Sequence, residues 1–156
     1  MSLQEQIQAD LKQAMKDRDR DRMSALRMLL SSLKNEAIEK GRGPQGDLSD
    51  EEVQKVLATE KKRRDESVAS YRDAGRDEQA DKEQAESDLI AGYLPAQLTD
   101  DELAEVIDTV MAQVDAQGPQ DMGAVMKNVM AEVGNRADGA RVSTEVKDRL
   151  QALTGG

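Results

Sequence analysis

An all-α fold is predicted for this chain, on three observations. Apolar residues recur at helical spacing along nearly its whole length, and no convincing period-2 run interrupts them. Gly and Pro cluster at a few places that divide the periodic segments. Phe and Trp are absent, so Leu, Val, Ile, Ala and eight Met must fill an interior suited to slender helices. The expected layout is an N-terminal region of about four helices over residues 1–96 and a small C-terminal three-helix bundle over 97–156.

Leu3, Ile7, Leu11 and Met15 give a first helix a narrow stripe. The charged run Asp17 to Arg22 separates it from a second helix, where Met23, Leu26, Leu29, Leu30, Leu33 and Ala37 line one face up to about Gly41. Gly41-Arg42-Gly43-Pro44-Gln45-Gly46 cannot sustain a helix and reads as a loop. Ser49 with Glu52 forms a capping box for a third helix running to about Asp73, with Val53, Val56, Leu57, Val68 and Tyr71 as its apolar contacts. Its middle, Glu60 to Arg64, is charged all round, and is expected to protrude or to pack through aliphatic stems. After Gly75 a fourth helix carries Ala85, Leu89 and Ile90 towards Tyr93-Leu94, and Pro95 ends it.

Thr99 caps the next helix, with Asp100, Asp101 and Glu102 in its first turn. Leu103, Val106, Ile107, Val110, Met111 and Val114 repeat the offsets of Met122, Val125, Met126, Val129, Met130 and Val133. Two such stripes joined through Gly118-Pro119 predict a helical hairpin. The chain breaks at Gly134, turns through Asn135 to Gly139, and re-enters a helix near Ser143, whose Val142, Val146, Leu150 and Leu153 close the bundle. Thr154-Gly155-Gly156 reads as a frayed end.

Composition narrows the chemistry. Without His or Cys there is no ready zinc site, no thiol nucleophile and no base naturally poised near neutrality. No Walker loop, dinucleotide fingerprint or nucleophile elbow is present, so neither a catalytic centre nor a cofactor is expected. No apolar run is long enough to span a bilayer and no signal-peptide pattern opens the chain; a cytoplasmic location without a membrane partner is the expectation. The net charge of −10 argues against a general nucleic-acid binder, although a small basic patch on an acidic body is compatible with it. Residues 1–98 carry 17 basic and 21 acidic side chains, and 99–156 carry 5 and 11, so the C-terminal part is the more acidic per residue.

Several residues invite two readings. Gly123 inside a helix favours close approach of a neighbouring helix over that of a ligand. Gly134 reads as a helix C-cap and Gly139 as a left-handed turn residue, with Asp138 making a local side-chain bond. Arg136 either binds phosphate, or caps the preceding helix or pairs with a carboxylate. Lys61-Lys62-Arg63-Arg64 is a solvated face before it is a nucleic-acid contact, because Glu60, Asp65 and Glu66 flank it. Asp17, Asp19 and Asp21 lack the Gly and distal Glu of a calcium loop, so no metal is expected. Tyr71 and Tyr93 are too few for base stacking. Met122, Met126 and Met130 read as core, or else as an adaptable docking face.

Tyr93-Leu94-Pro95 with Gln97-Leu98, then Met122-Gly123, Val125-Met126-Lys127, and Arg136-Ala137-Asp138-Gly139 with Val142, together resemble the YqeY family. That family is similar to the C-terminal helical and tail regions of the B subunit of tRNA-dependent amidotransferases. The resemblance implies an all-α protein in two parts. It also implies a tRNA-binding accessory role related to glutamine-dependent carbon–nitrogen ligation, with the ligation itself performed elsewhere. Family members often carry lysines where this chain has Ala96, Ala124 and Ala140, and Pro-Lys where it has Ala131-Glu132. Each lost phosphate contact weakens binding and flattens its salt dependence. Lys127, Arg136, Arg141 and Lys147 remain as the expected phosphate contacts, with Arg149 nearby. The rival expectation is a module that docks on a protein of the translation or amidotransferase machinery.

Overall fold

The structure is a computed structural model and describes residues 1–155. Among them lie seven α-helices, two short 3-10 turns and no strand, so the fold is all-α. The chain divides into two units, Met1–Leu94 and Pro95–Gly156, each with a hydrophobic core of its own.

In the first unit α1 spans Leu3–Lys16, opened by a capping box between Ser2 and Glu5. Ile7 and Ala14 are buried, whereas Met15 is 49% exposed. A strict four-residue repeat walks about 40° per step around a helix of 3.6 residues per turn. By the third step Ala14 has taken the inward place expected of Met15. Asp19 caps α2, Arg20–Glu39, and accepts a hydrogen bond from the Arg22 N–H at 3.2 Å. The connection from α1 is therefore only three residues, with Arg18 at φ +55°. Leu26, Leu29, Leu33 and Ala37 form the buried face of α2.

Ser49 and Glu52 build the expected capping box at the start of α3, Asp50–Asp73. Glu52 also accepts from Arg42 at 2.8 Å, and this bond, with the Ser49 backbone N–H, holds its carboxyl down to about 2. The middle of α3 does not protrude. Glu60 is 7% exposed and accepts from Ser32 Oγ at 3.1 Å, Arg63 at 3.3 Å and Arg64 at 2.5 Å. Arg64 is half-buried, donates to Met28 Sδ, and places its Nε 3.6 Å from the Glu86 carboxylate. A carboxylate can be buried here because paired donors replace its water.

Helix α4, Asp77–Ala91, packs along α3. Its inward residues are Ala80, Ser87 and Ile90, while Ala85 faces solvent. The small Ser87 donates to Asp65 at 2.5 Å, so hydrogen bonding joins the helices where an apolar contact was expected.

In the second unit Thr99 and Glu102 form a third capping box, at the head of α5, Asp100–Gln113. A 3-10 turn, Pro119–Asp121, leads into α6, Met122–Val133; a second, Gly134–Arg136, leads to α7, Gly139–Thr154. Leu103, Ile107 and Val110 from α5, Val125, Val129 and Val133 from α6, and Val142, Val146 and Leu150 from α7 make the core, closed by Leu98 and Ala137. The methionines flank this core: Met122, Met126 and Met130 are only partly buried against it. Thr154, expected to fray, still belongs to α7, and a Cβ on the buried Gly118 would meet its Cγ2 at 2.7 Å. Gly156 lies outside the described residues.

Candidate functional site

The corner expected to carry function lies between α6 and α7. Val133 ends α6 and Gly134 follows at φ +55°, ψ −126°, a conformation in which a side chain is strained. Asp138 then caps α7 by accepting from the Ala140 N–H at 3.3 Å. Because Asp is a favoured N-cap, the helix begins at Gly139, four residues ahead of the expected Ser143. Gly139 accordingly lies in the helix and not in the left-handed region expected for it.

The segment before α5 closes the corner from the other side. The Leu98 N–H donates to the Arg136 carbonyl at 2.8 Å, and Gln97 Nε2 donates to the Asn135 carbonyl at 3.1 Å. Arg141 donates one Nη to the Leu98 carbonyl at 2.8 Å and the other to Asp100 at 2.7 Å. A single guanidinium thus ties the start of α7 to the start of α5. Nothing in the local sequence pattern signals that tie, since its ends lie far apart in the chain.

Arg136 is exposed and caps α6. Its Nη2 donates to the Glu132 carbonyl at 2.8 Å and its Nε to the Val133 carbonyl at 3.3 Å. A cation there also complements the negative end of the helix dipole. Of the two sequence readings, the capping contact is the one present, and the residue remains exposed. Glu102 is held below the ordinary carboxylate range by the Thr99 backbone and side-chain hydrogen bonds, with a smaller contribution from the Arg136 charge.

Lys127 on α6 and Lys147 on α7 are exposed and have no ion-pair partner among the described residues. Arg149 pairs with Asp108. Gly123 is exposed in the first turn of α6, and a Cβ there would meet nothing within 4 Å. Helix packing therefore does not account for it, contrary to expectation.

Sequence reasoning passed over a groove between α5 and α6, of about 280 Å³, lined by Glu105, Val106, Thr109, Val110, Gln113 and Glu132. Val110 belongs to the core and Val106 is half-buried, so the floor is apolar, while Glu105 and Glu132 are exposed at its rim.

In the first unit, the basic run of α3 is matched by its own carboxylates: Lys61 pairs with Asp65 at 2.8 Å, and Arg63 and Arg64 pair with Glu60. Tyr93 donates to Asp10, and burial, reinforced by that bond, pushes its phenol pKa up. Asp19 serves as a helix cap, and no cluster of potential metal-ligating side chains occurs among the described residues. No helix among them is long and apolar enough to cross a membrane.

Residues 4–150 match the model of the family described as Yqey-like protein. The chain belongs to the YqeY family. It is also similar to two fungal proteins, each named Altered inheritance of mitochondria protein 41, mitochondrial. The protein from Pyrenophora tritici-repentis is 25% identical over 150 residues, covering 94% of this chain and 80% of its own length. The protein from Clavispora lusitaniae is 29% identical over 127 residues, covering 79% of this chain and 71% of its own.

Proposed function

We propose that this YqeY-family chain is an accessory protein without a catalytic centre of its own, which docks on a protein component of the translation or tRNA-amidation machinery. The observation that carries this reading is how the C-terminal unit uses its cations. It has five against eleven acids from residue 99 onward. Arg141 and Arg149 pair with Asp100 and Asp108, and Arg136 is anchored on helix-end carbonyls. Lys127 and Lys147 have no ion-pair partner among the described residues, and two such cations are few for a polyphosphate whose affinity grows with each neutralised phosphate. The partly buried Met122, Met126 and Met130 offer an adaptable surface that suits a protein better.

Contact with tRNA backbone is the second reading, favoured by the exposed Arg136 together with Lys127 and Lys147, which have no ion-pair partner among the described residues. Binding of total tRNA, measured at several salt concentrations, separates the two. The test compares wild type with a chain carrying Lys127→Ala, Arg136→Ala and Lys147→Ala; Arg141 is kept because it holds Leu98. Weak binding, equal in both chains, with co-purification of a protein of that machinery is expected. Tight, salt-sensitive binding that the triple change reduces overturns the docking reading in favour of tRNA. Glutamine-dependent amide formation by the isolated chain overturns the non-catalytic role. The cytoplasm has the required translation apparatus, and the names of the fungal relatives add the mitochondrion; fractionation of expressing cells decides between them.

A further inference from the structure

We propose that the α5/α6 groove takes a basic amphipathic helix from a protein partner, with an apolar side chain set on Val106 and Val110 and flanking Lys or Arg on Glu105 and Glu132. The inference rests on the docking reading and adds a place and a chemistry to it. Its volume, about 280 Å³, falls at or below the lower end of small-molecule sites, yet suits one or two aliphatic side chains. A helix laid in a groove offers such anchors one turn apart.

The rim decides the sign of the partner. Glu105 and Glu132 are exposed, and neither carboxylate has an ion-pair partner among the described residues. Cations are therefore wanted on both sides of the apolar anchor, and the excess of acids in this unit steers a basic segment towards it. The same rim repels the phosphates of tRNA and of a lipid surface. A second copy of the chain is a poor occupant, because its densest basic run is engaged by Glu60 and Asp65 of the same helix.

The test uses the full chain and a fluorescein-labelled peptide about five helical turns long, with Leu at i and i+4 and Lys flanking them. A peptide with Glu in place of Lys and a scrambled peptide of equal composition are the controls, and binding is read by anisotropy. Glu105→Lys with Glu132→Lys is expected to weaken the Lys peptide by about tenfold or more and to create binding of the Glu peptide. Both positions are exposed, and far-ultraviolet circular dichroism confirms that the variant keeps its helices. Equal binding of the scrambled peptide overturns the groove, since bulk charge alone then suffices. Binding of the Lys peptide that charge reversal leaves unchanged overturns the groove but leaves the docking reading standing. Absence of binding to any peptide likewise overturns the groove alone, the docking reading being judged by the tRNA and co-purification measurements. Tight salt-sensitive tRNA binding in place of peptide binding overturns both.

Discussion

Gly123 and Gly134, near the two ends of α6, make opposite demands on the backbone. Gly134 holds φ +55° and ψ −126°, outside the regions open to a residue with a Cβ. Gly123 is helical, exposed and surrounded by open space. Gly134→Ala is therefore expected to destabilise the chain by about 1–3 kcal/mol through backbone strain alone. Gly123→Ala is expected to stabilise it by up to about 1 kcal/mol, less the discount for a first-turn position. Urea unfolding of the two single variants measures both, and effects of the same sign would overturn the contrast between the two positions. The contrast matters for function too. If Gly123→Ala is more stable and yet binds a partner less well, the close approach at Gly123 belongs to a ligand, the reading that helix packing had displaced.

Within α3, Glu60 and Arg64 form the most buried charge pair described, their side chains being 10% and 12% exposed. Removing one member strands a desolvated charge, whereas replacing both removes the desolvation penalty along with the attraction. Glu60→Ala is expected to cost less than the about 3–5 kcal/mol of a fully stranded charge, because Glu86 still faces Arg64, and Glu60→Leu with Arg64→Met is expected to cost no more than the single change. Thermal unfolding of the single and double variants checks this, and additive losses would mean that the pair is solvated and contributes as a surface bridge does. The same helix shows what was legible in the sequence. Its start was legible, because a Ser with a Glu three residues on satisfies orphan N–H groups locally; Thr99 marked α5 for the same reason. Its buried carboxylate was not, because the partners that permit burial come from Ser32 on another helix as well as from its own next turn. The corner of the C-terminal unit divides the same way. Its glycine cap at Gly134 could be read locally, while the Arg141 tie to Leu98, which turns an expected phosphate ligand into a structural strut, is long-range and leaves no periodic trace.

Charge acts on the molecule as a whole. With 32 acidic and 22 basic side chains, many carboxylates have no cation to meet, and the excess is densest from residue 99 onward. Salt then has two opposed effects. It screens exposed pairs such as Arg72 with Asp81 and Arg141 with Asp100, which contribute only about 0–1 kcal/mol each. It also screens the mutual repulsion of the unmatched carboxylates, which opposes compactness. Because the exposed pairs are individually weak, relief of repulsion is the larger effect. The thermal midpoint is expected to rise as NaCl increases from about 0.01 to 0.15 M, over which the screening length falls from about 30 to 8 Å. Asp148→Lys, which replaces an exposed acid of the C-terminal unit in the second half of α7, away from any helix N-terminus, should reproduce part of the rise at low salt and flatten the salt dependence. Calorimetry at matched protein concentration provides the measurement. A midpoint that falls with salt would mean that the ion pairs outweigh the repulsion. The acid excess would then be locally compensated, and the field invoked to steer a basic partner helix would be too weak for that purpose.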